Sequence, residues 1–282
     1  MSTTATATQP APAMATAAAR GASLRDALHA EWTKLRTVSG PAWLLLGIAV
    51  LTIAVSTAAV GATHCPHDLT CPVDTTKLSL TGIQLGQAMV AILAVLMVSN
   101  EYSSGMMRVT LAAMPRRQAV LAAKAILLVA LVLAAGAVAV FGSVLVGHLI
   151  LPGHGFTAAR GFHPVWLSYG PTLRAASGSV LYLALIALMS LGVAVIVRDS
   201  AVSIGVVLAL LYLFPIILAF IGNEHWQRRL ERWTPTVAGL TIQDTTGLRS
   251  LAITPWSGLG VLAIWAAAAM LAGGLVFRFR DA

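Results

Sequence analysis

The sequence predicts an all-α, polytopic integral membrane protein with six transmembrane helices. Hydrophobic residues make up 58% of the chain and charged residues only 10%, whereas soluble domains contain about 25% charged residues. The apolar residues form six long segments, and most cations lie near the ends of these segments. The net charge of +8 is therefore attributed to membrane orientation, and a nucleic-acid partner is not expected.

The first part of the chain is expected to lie outside the lipid core. Residues 1–22 are rich in Ala, Thr and Pro and lack hydrophobic periodicity, which predicts a disordered cytoplasmic tail. This tail lacks the charged start and apolar core of a signal peptide, and Met14 is an alternative start. Ser23 then begins a helix with one apolar face, which predicts an interfacial amphipathic helix or an ordinary helix packed on protein. The residues on this face are Leu24, Leu28, Trp32 and Leu35.

Six apolar segments are long enough to cross a bilayer of about 30 Å at about 1.5 Å per residue. These spans are residues 41–62, 80–98, 121–151, 172–197, 201–221 and 256–277. The third span is longer than a bilayer requires and is expected to tilt or project, and Pro215 is expected to kink the fifth. The predicted inner segments contain more Lys and Arg than the outer ones, which places both termini in the cytoplasm.

The two cysteines, Cys65 and Cys71, fall in the first predicted outer loop, residues 63–78. An oxidising exterior favours a disulfide between them. Free thiols and a metal site that includes His64 and His67 are the alternatives. The metal site is the least favoured of the three, because the spacing of these residues matches no firm ligand motif.

The longest predicted outer segment is residues 222–255. Trp226, Leu230 and Trp233 recur there at helical spacing, with arginines on the other sides. This pattern predicts a short helix that lies at the outer membrane interface.

The second span carries small and polar residues that call for helix neighbours. Gly82 and Gly86 form a small-xxx-small pair, which favours close helix contact. Gln84 and Gln87 lie one turn apart in this span, and Tyr182 is a polar group of the fourth span. Amides in lipid need hydrogen-bond partners, so these three side chains either join helices or face a substrate path.

The most polar interruption between spans is a cytoplasmic segment, residues 100–120. Glu101 and Tyr102 begin it, and Gly105 and Pro115 are expected to bound a short helix. Cations follow at Arg108, Arg116, Arg117 and Lys124. Apolar residues at helical spacing are Met107, Leu111 and Met114. The alternative is a loop whose cations only contact anionic lipid.

Two ordered sets of residues carry a family resemblance. The first is Glu101-Tyr102, Gly105, Met107-Arg108, Thr110-Leu111, Pro115-Arg116-Arg117 and Lys124. The second is Glu31-Trp32-Thr33-Lys34-Leu35-Arg36-Thr37. Together they resemble the membrane subunits of type-2 ATP-binding-cassette (ABC) exporters, in which the motifs are commonly E-Y or E-R, G-T-I-R, Pro-Arg-Arg, A-K and E-W-x-K-L-R-T. The chain departs from the family at Met106-Met107, where Thr-Ile is more usual, and the resemblance covers residues 23–280.

This resemblance implies a permease subunit of an ATP-driven exporter, in which two permeases, identical or siblings, form the translocation path. Two separate ATPase subunits would bind ATP and Mg²⁺ and dock on the inner surface of the permeases. The residues implied in this coupling are Glu101, Tyr102, Gly105, Met107, Arg108, Leu111, Pro115, Arg116 and Arg117. The location implied is a bacterial plasma membrane, and the residue bias favours an actinobacterial source. The scarcity of polar groups in the spans favours an amphipathic or lipid-like cargo.

The chain itself is not expected to be an enzyme or to bind a cofactor. A P-loop needs a Gly-Lys pair, whereas the three lysines follow Thr33, Thr76 and Ala123. Ser143 and His148 do not share a helix face well, which disfavours an intramembrane hydrolase. The predicted span interiors contain no Asp or Glu, which disfavours an ion-coupled carrier. A non-transporting membrane anchor or sensor is the alternative function.

Overall fold

The computed structural model describes residues 23–66, 71–113, 117–220 and 222–279. All regular structure in these residues is helical, and no strand occurs among them. Six helices in this part of the chain are long and apolar enough to cross a membrane. They are Ser39–Ala62, Ile83–Ser103, Arg117–His154, Gly170–Val197, Ser200–Ile217 and Pro255–Phe279. The predicted all-α, polytopic membrane fold is confirmed.

The described residues form twelve α-helices. They are α1 (Leu24–Thr37), α2 (Ser39–Ala62), α3 (Thr75–Ser79), α4 (Ile83–Ser103), α5 (Met106–Ala113), α6 (Arg117–Ile150), α7 (Gly170–Val197), α8 (Ser200–Leu208), α9 (Phe214–Ala219), α10 (Glu224–Trp233), α11 (Pro235–Leu240) and α12 (Pro255–Phe279). Short 3₁₀ helices cover Leu151–His154, Ala158–Arg160 and Thr241–Gln243. The predicted tail, residues 1–22, lies outside the described residues.

The helices α4 and α7 form the centre of the bundle. α7 packs against α4, α6 and α12, while α2 packs against α4 and α6. Fully buried core side chains include Leu93, Leu128, Leu183 and Ile186. Large apolar side chains on the outer faces are exposed, and they include Trp43, Val138, Phe141, Ile264 and Leu271. A bundle that is apolar on its outside as well as its inside suits lipid as the surrounding solvent.

Glycines allow two pairs of helices to approach closely. A Cβ at Gly82 would lie 1.9 Å from the Thr52 carbonyl oxygen, and one at Gly86 would lie 2.2 Å from the Thr52 hydroxyl. These contacts join α4 to α2, as the small-xxx-small spacing predicts. A Cβ at Gly192 of α7 would similarly lie 2.5 Å from the carbonyl carbon of Ala269 in α12.

The fifth span is interrupted just before Pro215. α8 ends at Leu208, a π-helical turn covers Ala209–Leu213, and α9 continues from Phe214. Proline has no backbone N–H for the carbonyl four residues earlier, and a π-turn lets a helix continue past such a defect. The disturbance expected from Pro215 therefore takes the form of one wider turn.

The second span is longer than the sequence predicts. The expected span ends at residue 98, but α4 continues to Ser103 and contains Glu101, which is buried. Glu101 lies in the last turn of α4, beyond the end of the predicted span. Its carboxylate is paired with Lys34 and Lys124 on neighbouring helices, so it need not reach water.

The outer segment 222–255 also enters the bundle. α10 presents the exposed apolar side chains of Trp226 and Trp233, in the manner expected of an interfacial helix. After α10 the chain turns inward, and α11 and the following 3₁₀ helix lie buried against α7 and α12. This close packing requires a glycine at position 258. A Cβ there would lie only 2.0 Å from the Ala238 carbonyl oxygen and would clash with it. The segment is thus partly a re-entrant element rather than only a surface loop.

Candidate functional site

Four charged residues form a cluster where α1, α4 and α6 meet; three of them are buried, and Lys34 is partly exposed. Lys124 Nζ donates to Glu31 Oε2 at 2.6 Å and to Glu101 Oε1 at 2.7 Å. Lys34 Nζ donates to Glu31 Oε1 and to Glu101 Oε1, each at 2.9 Å. Each lysine therefore bridges the same two carboxylates, and the cluster is neutral as a whole. We call Glu31, Lys34, Glu101 and Lys124 the ion cluster.

The local sequence positions each member of the ion cluster. A capping box between Ser23 and Asp26 begins α1, and Glu31 lies four residues after Ala27 on the buried side of that helix. Glu101 lies in the last turn of α4, and Lys124 lies two turns into α6. The cluster therefore joins the interfacial helix to two spans.

The charges in the cluster stabilise one another. Burial alone would lower the pKa of Lys34, but its hydrogen bonds to Glu101 and Glu31 outweigh that cost and raise the pKa above its usual value. Lys124 is more deeply buried than Lys34, with 2% of its side chain exposed. Charges held this far from water persist only when each has a close partner of opposite sign, so the cluster is sensitive to the loss of any member.

The short helix expected in the cytoplasmic segment is α5, which follows a turn at Gly105 with φ of 70°. Met107 is buried and Leu111 is packed against the core, so these two predicted coupling residues face the rest of the bundle. Met106 and Val109 are exposed instead. The exposed apolar side of α5 is therefore the one with Met106 and Val109, not the predicted one with Met107 and Leu111.

The remaining predicted coupling residues lie around α5. The Arg198 guanidinium sits 5.1 Å from the centre of the Tyr102 ring, which links the end of α4 to the end of α7. Arg117 donates to the Phe277 carbonyl oxygen at 3.3 Å and so links α6 to α12. Arg108 is exposed on α5. Pro115 and Arg116 lie outside the described residues.

Sequence reasoning identified Glu101 but missed its partners. Lys124 appears in the family motif, yet nothing in the sequence pairs it with Glu31, which lies 93 positions earlier. A signal was available, because a lysine flanked by Ala123 and Ala125 within an apolar helix requires a buried anion. Glu101, 23 positions earlier, is the acidic residue nearest to Lys124 in the sequence.

The predicted polar residues of the second span lie at the opposite end of the bundle. Gln87 is buried, and its side-chain oxygen accepts a hydrogen bond from the Tyr182 hydroxyl. Gln84 is exposed. Both glutamines line a cavity of about 370 Å³, where Lys77 and Asp244 form an ion pair of 2.7 Å. Gln87 and Tyr182 therefore join two helices, and the two glutamines also border an open space.

A disulfide joins Cys65 to Cys71 in the first outer loop. Arg160 donates to the carbonyl oxygens of Cys65 at 2.9 Å and Pro66 at 2.7 Å, which ties this loop to the segment after α6. Both thiols are used in the disulfide, and His67 lies outside the described residues. Within the described residues, no group of three or more His, Cys, Asp and Glu side chains could hold a metal ion.

Asp74 connects the first outer loop to the segment before α12. Its carboxylate accepts hydrogen bonds from the hydroxyl of Thr245 at 2.7 Å and the backbone N–H of Thr246 at 2.9 Å. It also accepts from the N–H groups of Thr76 and Lys77, each at 3.1 Å, as the N-cap of α3. One carboxylate therefore holds two loops together.

The Asp74 contact is expected to weaken in acid. Burial alone would raise the pKa of Asp74, but the hydrogen bonds from Thr245, Lys77 and Thr246 outweigh burial and hold the pKa below its usual value. A lowered folded-state pKa gives stability that is present above the unfolded-state value of about 3.9 and is lost as pH falls through the folded-state value. Asp74→Asn should therefore cost about 2 kcal/mol at pH 7, because the NH₂ group that replaces one carboxylate oxygen cannot accept the hydrogen bonds that this oxygen receives.

The check is thermal unfolding of the wild type and of Asp74→Asn in detergent between pH 3 and pH 7. The difference between the two proteins should shrink as the pH falls below about 4. A difference that stays constant over this range would contradict the role assigned to the Asp74 carboxylate.

Comparison with protein-family models gives no match to this chain, and comparison with curated proteins gives no significant match. A functional assignment consequently depends on the motifs and on the geometry described above. The geometry brings two residues of each motif stretch together in one cluster at one end of a six-span bundle.

Proposed function

We propose that this chain is the transmembrane permease subunit of an ATP-driven ABC exporter in a bacterial, actinobacterial-type plasma membrane. It forms the translocation path with a second permease, either an identical copy or a sibling chain. Separate ATPase subunits bind ATP and Mg²⁺ and act on the permease through the cytoplasmic segment 100–120.

The observation that carries this proposal is the composition of the ion cluster. Glu31 and Lys34 belong to one stretch that resembles type-2 exporters, and Glu101 and Lys124 belong to the other. Lys34 and Glu101 are separated by 67 positions in the sequence, yet their side chains are in direct contact. The residues that carry the resemblance are therefore in physical contact, which a chance likeness of two short motifs would not require.

The contacts around α5 provide a route by which a partner could move the spans. α5 follows α4 through the turn at Gly105, and Thr110 of α5 is 3.3 Å from Lys34 Nζ of α1. α1 is in turn bound to α6 through Lys124 and Glu31. Closure of the ATPase subunits would displace α5 and, with it, the inner ends of three helices, which biases the permease toward an outward-open state.

The exposure of the α5 side chains supports a narrower set of residues for the proposed ATPase contact. The exposed side chains of α5 include Met106, Arg108 and Val109, and Val109 is 68% exposed. A central apolar side chain beside an arginine is a common composition for an interface core. Glu101 is buried in the ion cluster, so it would support this surface without contacting the partner.

The test is affinity purification of the tagged chain from membranes of its native host in a mild detergent. An ATPase subunit should be recovered with the wild type, and recovery should fall at least about tenfold with Val109→Asp and with Arg108→Glu. Arg249→Glu is the matched control, because Arg249 is an exposed arginine of the outer segment. This control should retain the ATPase at the wild-type level.

Two outcomes would overturn parts of the proposal. Absence of an ATPase from the wild-type sample, in several detergents and after crosslinking, would favour the non-transporting anchor or sensor. Recovery of the ATPase with all variants would retain the exporter function but remove α5 as the coupling surface. Because the control also reverses the charge of an arginine, a general effect of net charge would be visible in it.

A further inference from the structure

One side of the helix α10 is apolar and exposed. Its apolar side chains recur at helical spacing, and they are Trp226, Leu230 and Trp233. Trp233 is 73% exposed. Exposed tryptophans of membrane proteins concentrate at the boundary between the hydrocarbon and the headgroups, where the ring is apolar and the indole N–H reaches polar groups. The apolar side of α10 therefore suits a membrane surface.

Three exposed arginines lie beside this apolar side. They are Arg228, Arg229 and Arg232. At 3.6 residues per turn, Arg229 lies at the edge of the apolar side and the other two lie further round the helix. Glu231 lies on the opposite flank, where it lines the cavity of about 370 Å³ and accepts a hydrogen bond from Gln227 at 3.2 Å. The exposed arc of α10 is therefore half aromatic and half cationic.

Contacts with the spans place α10 beside the bundle rather than beyond its end. The Trp265 indole N–H donates to the Trp233 carbonyl oxygen at 3.0 Å. Trp265 is ten positions after Pro255, the first residue of α12, which corresponds to about 15 Å of helix. α10 contacts both α9 and α12, and these helices expose apolar side chains such as Ile216 and Ile264. The lipid that surrounds these two helices therefore also reaches α10.

Arginines in this position call for an anion in the headgroup layer. A guanidinium close to hydrocarbon is costly unless it is paired or reaches water, and a phosphate matches its planar set of donors. Every phospholipid has a phosphate, but the choline of phosphatidylcholine cancels the phosphate charge, whereas phosphatidylglycerol keeps a net negative charge. The cationic arc of α10 therefore complements an anionic phospholipid better than a zwitterionic one.

We propose that α10 docks on the membrane surface and selects anionic phospholipids, with phosphatidylglycerol as the lipid of matching chemistry. Arg229 and its two neighbouring arginines hold the headgroup phosphates, while Trp226 and Trp233 lie at the top of the acyl chains. In the topology predicted from the sequence, this contact is with the outer leaflet. The inference does not depend on transport or on an ATPase partner.

The chain allows a fluorescent probe to be placed on α10 alone. Cys65 and Cys71 are its two cysteines and are joined in a disulfide, so Leu230→Cys supplies a single free thiol on the apolar side of α10. A bimane fluorophore is attached to this thiol. Val138→Cys is the control position for the probe, because Val138 is 60% exposed and lies on α6.

The experiment is reconstitution of the labelled full chain into vesicles of phosphatidylcholine and phosphatidylglycerol. Bromine, which quenches bimane, is placed on the acyl chains of one lipid or of the other at equal mole fraction. Brominated phosphatidylglycerol should quench the Leu230 probe at least about fivefold more strongly than brominated phosphatidylcholine, since one cation near an anionic surface contributes about fivefold. This preference should fall toward one in about 1 M salt, where the Debye length is only about 3 Å. At Val138 the two brominated lipids should quench about equally.

A matched pair of arginine variants tests the cationic arc. Arg229→Gln, made in the Leu230→Cys background, should lower the preference for phosphatidylglycerol about fivefold. Arg249→Gln removes the same charge from an exposed arginine elsewhere in the outer segment and should leave the preference unchanged. Arg229 is chosen because Arg232 also donates to the Ala252 carbonyl oxygen at 2.7 Å, so replacing Arg232 would disturb that loop as well.

Several outcomes would overturn the proposal. Equal quenching of the Leu230 probe by the two brominated lipids would show that α10 does not select anionic lipid, and quenching by neither would show that α10 faces water. An unchanged preference in Arg229→Gln would remove the arginine arc as its cause. Loss of the preference on addition of soluble glycerol phosphate would assign the arginines to a free phosphate ester rather than to the membrane surface.

Discussion

Replacing Lys124 with methionine is expected to lower the free energy of unfolding by about 3–5 kcal/mol. Methionine keeps most of the aliphatic stem but removes the ammonium group, which leaves Glu31 and Glu101 with only Lys34 to balance two buried carboxylates. The measurement is denaturation of the purified protein in detergent, followed by tryptophan fluorescence. The change should also loosen α1, because Lys124 is the residue that binds α1 to α6.

Two further variants test whether the loss arises from unpaired charge. Lys77→Met removes a lysine whose ion pair with Asp244 has a half-exposed cation, and pairs of this kind contribute only about 0–1 kcal/mol. Adding Glu31→Gln to Lys124→Met restores charge balance and should recover part of the lost stability. If Lys124→Met and Lys77→Met lowered the free energy of unfolding by similar amounts, burial of the ion cluster would have no energetic consequence.

Replacing Gly82 with leucine is expected to destabilise the bundle by about 3 kcal/mol or more. A Cβ at this position would lie 1.9 Å from the backbone carbonyl oxygen of Thr52, and backbone cannot rotate away as a side chain can. α2 and α4 would have to separate, and the hydrogen bond from Gly82 N–H to Ser56 Oγ, 3.1 Å long, would be lost. The expected result is a large fall in the yield of folded protein and in its unfolding temperature.

Gly205→Leu is the control for this substitution. Gly205 lies in α8, also in a span, but a Cβ there would meet no atom within 4 Å. The control should fold at close to the wild-type yield, with a change within about 0.5 kcal/mol. If Gly82→Leu and Gly205→Leu behave alike, the close approach of α2 and α4 is not a requirement of the fold.

The fold class was predictable because the lipid environment imposes two simple requirements on the sequence of each span. Each span must satisfy its backbone within one helix and must be apolar over its length, and both requirements can be read locally. The end of α4 was not predictable by this rule. Glu101 ends the apolar segment, yet the helix continues to Ser103 because Lys124 and Lys34 approach it from other parts of the chain.

The sequence indicated Glu101 and the short helix that follows it, but not the partners of Glu101 or the side of the helix that faces the protein. The spacing of Met107 and Leu111 correctly groups them on one side of a short helix, but spacing alone does not reveal which side faces the protein. The resemblance to type-2 exporters implies that the segment 222–255 folds back, but the place of the inward turn, between α10 and α11, was not predictable. The turn depends on the close contact between Ala238 in α11 and Gly258 in α12. These residues are 20 positions apart, and no local sequence pattern pairs them.

The length of α6 has a mechanical consequence. This helix has 34 residues and is therefore a rod of about 51 Å, longer than the hydrocarbon core is thick. Lys124 lies near one end, and Gly147 lies about 35 Å further along, where a Cβ would be 2.1 Å from the Ser79 hydroxyl. A tilt of about 5° that pivots near Lys124 would carry Gly147 through about 3 Å. Any rotation of α6 about the ion cluster would therefore move the far end of the helix much farther than the end near Lys124.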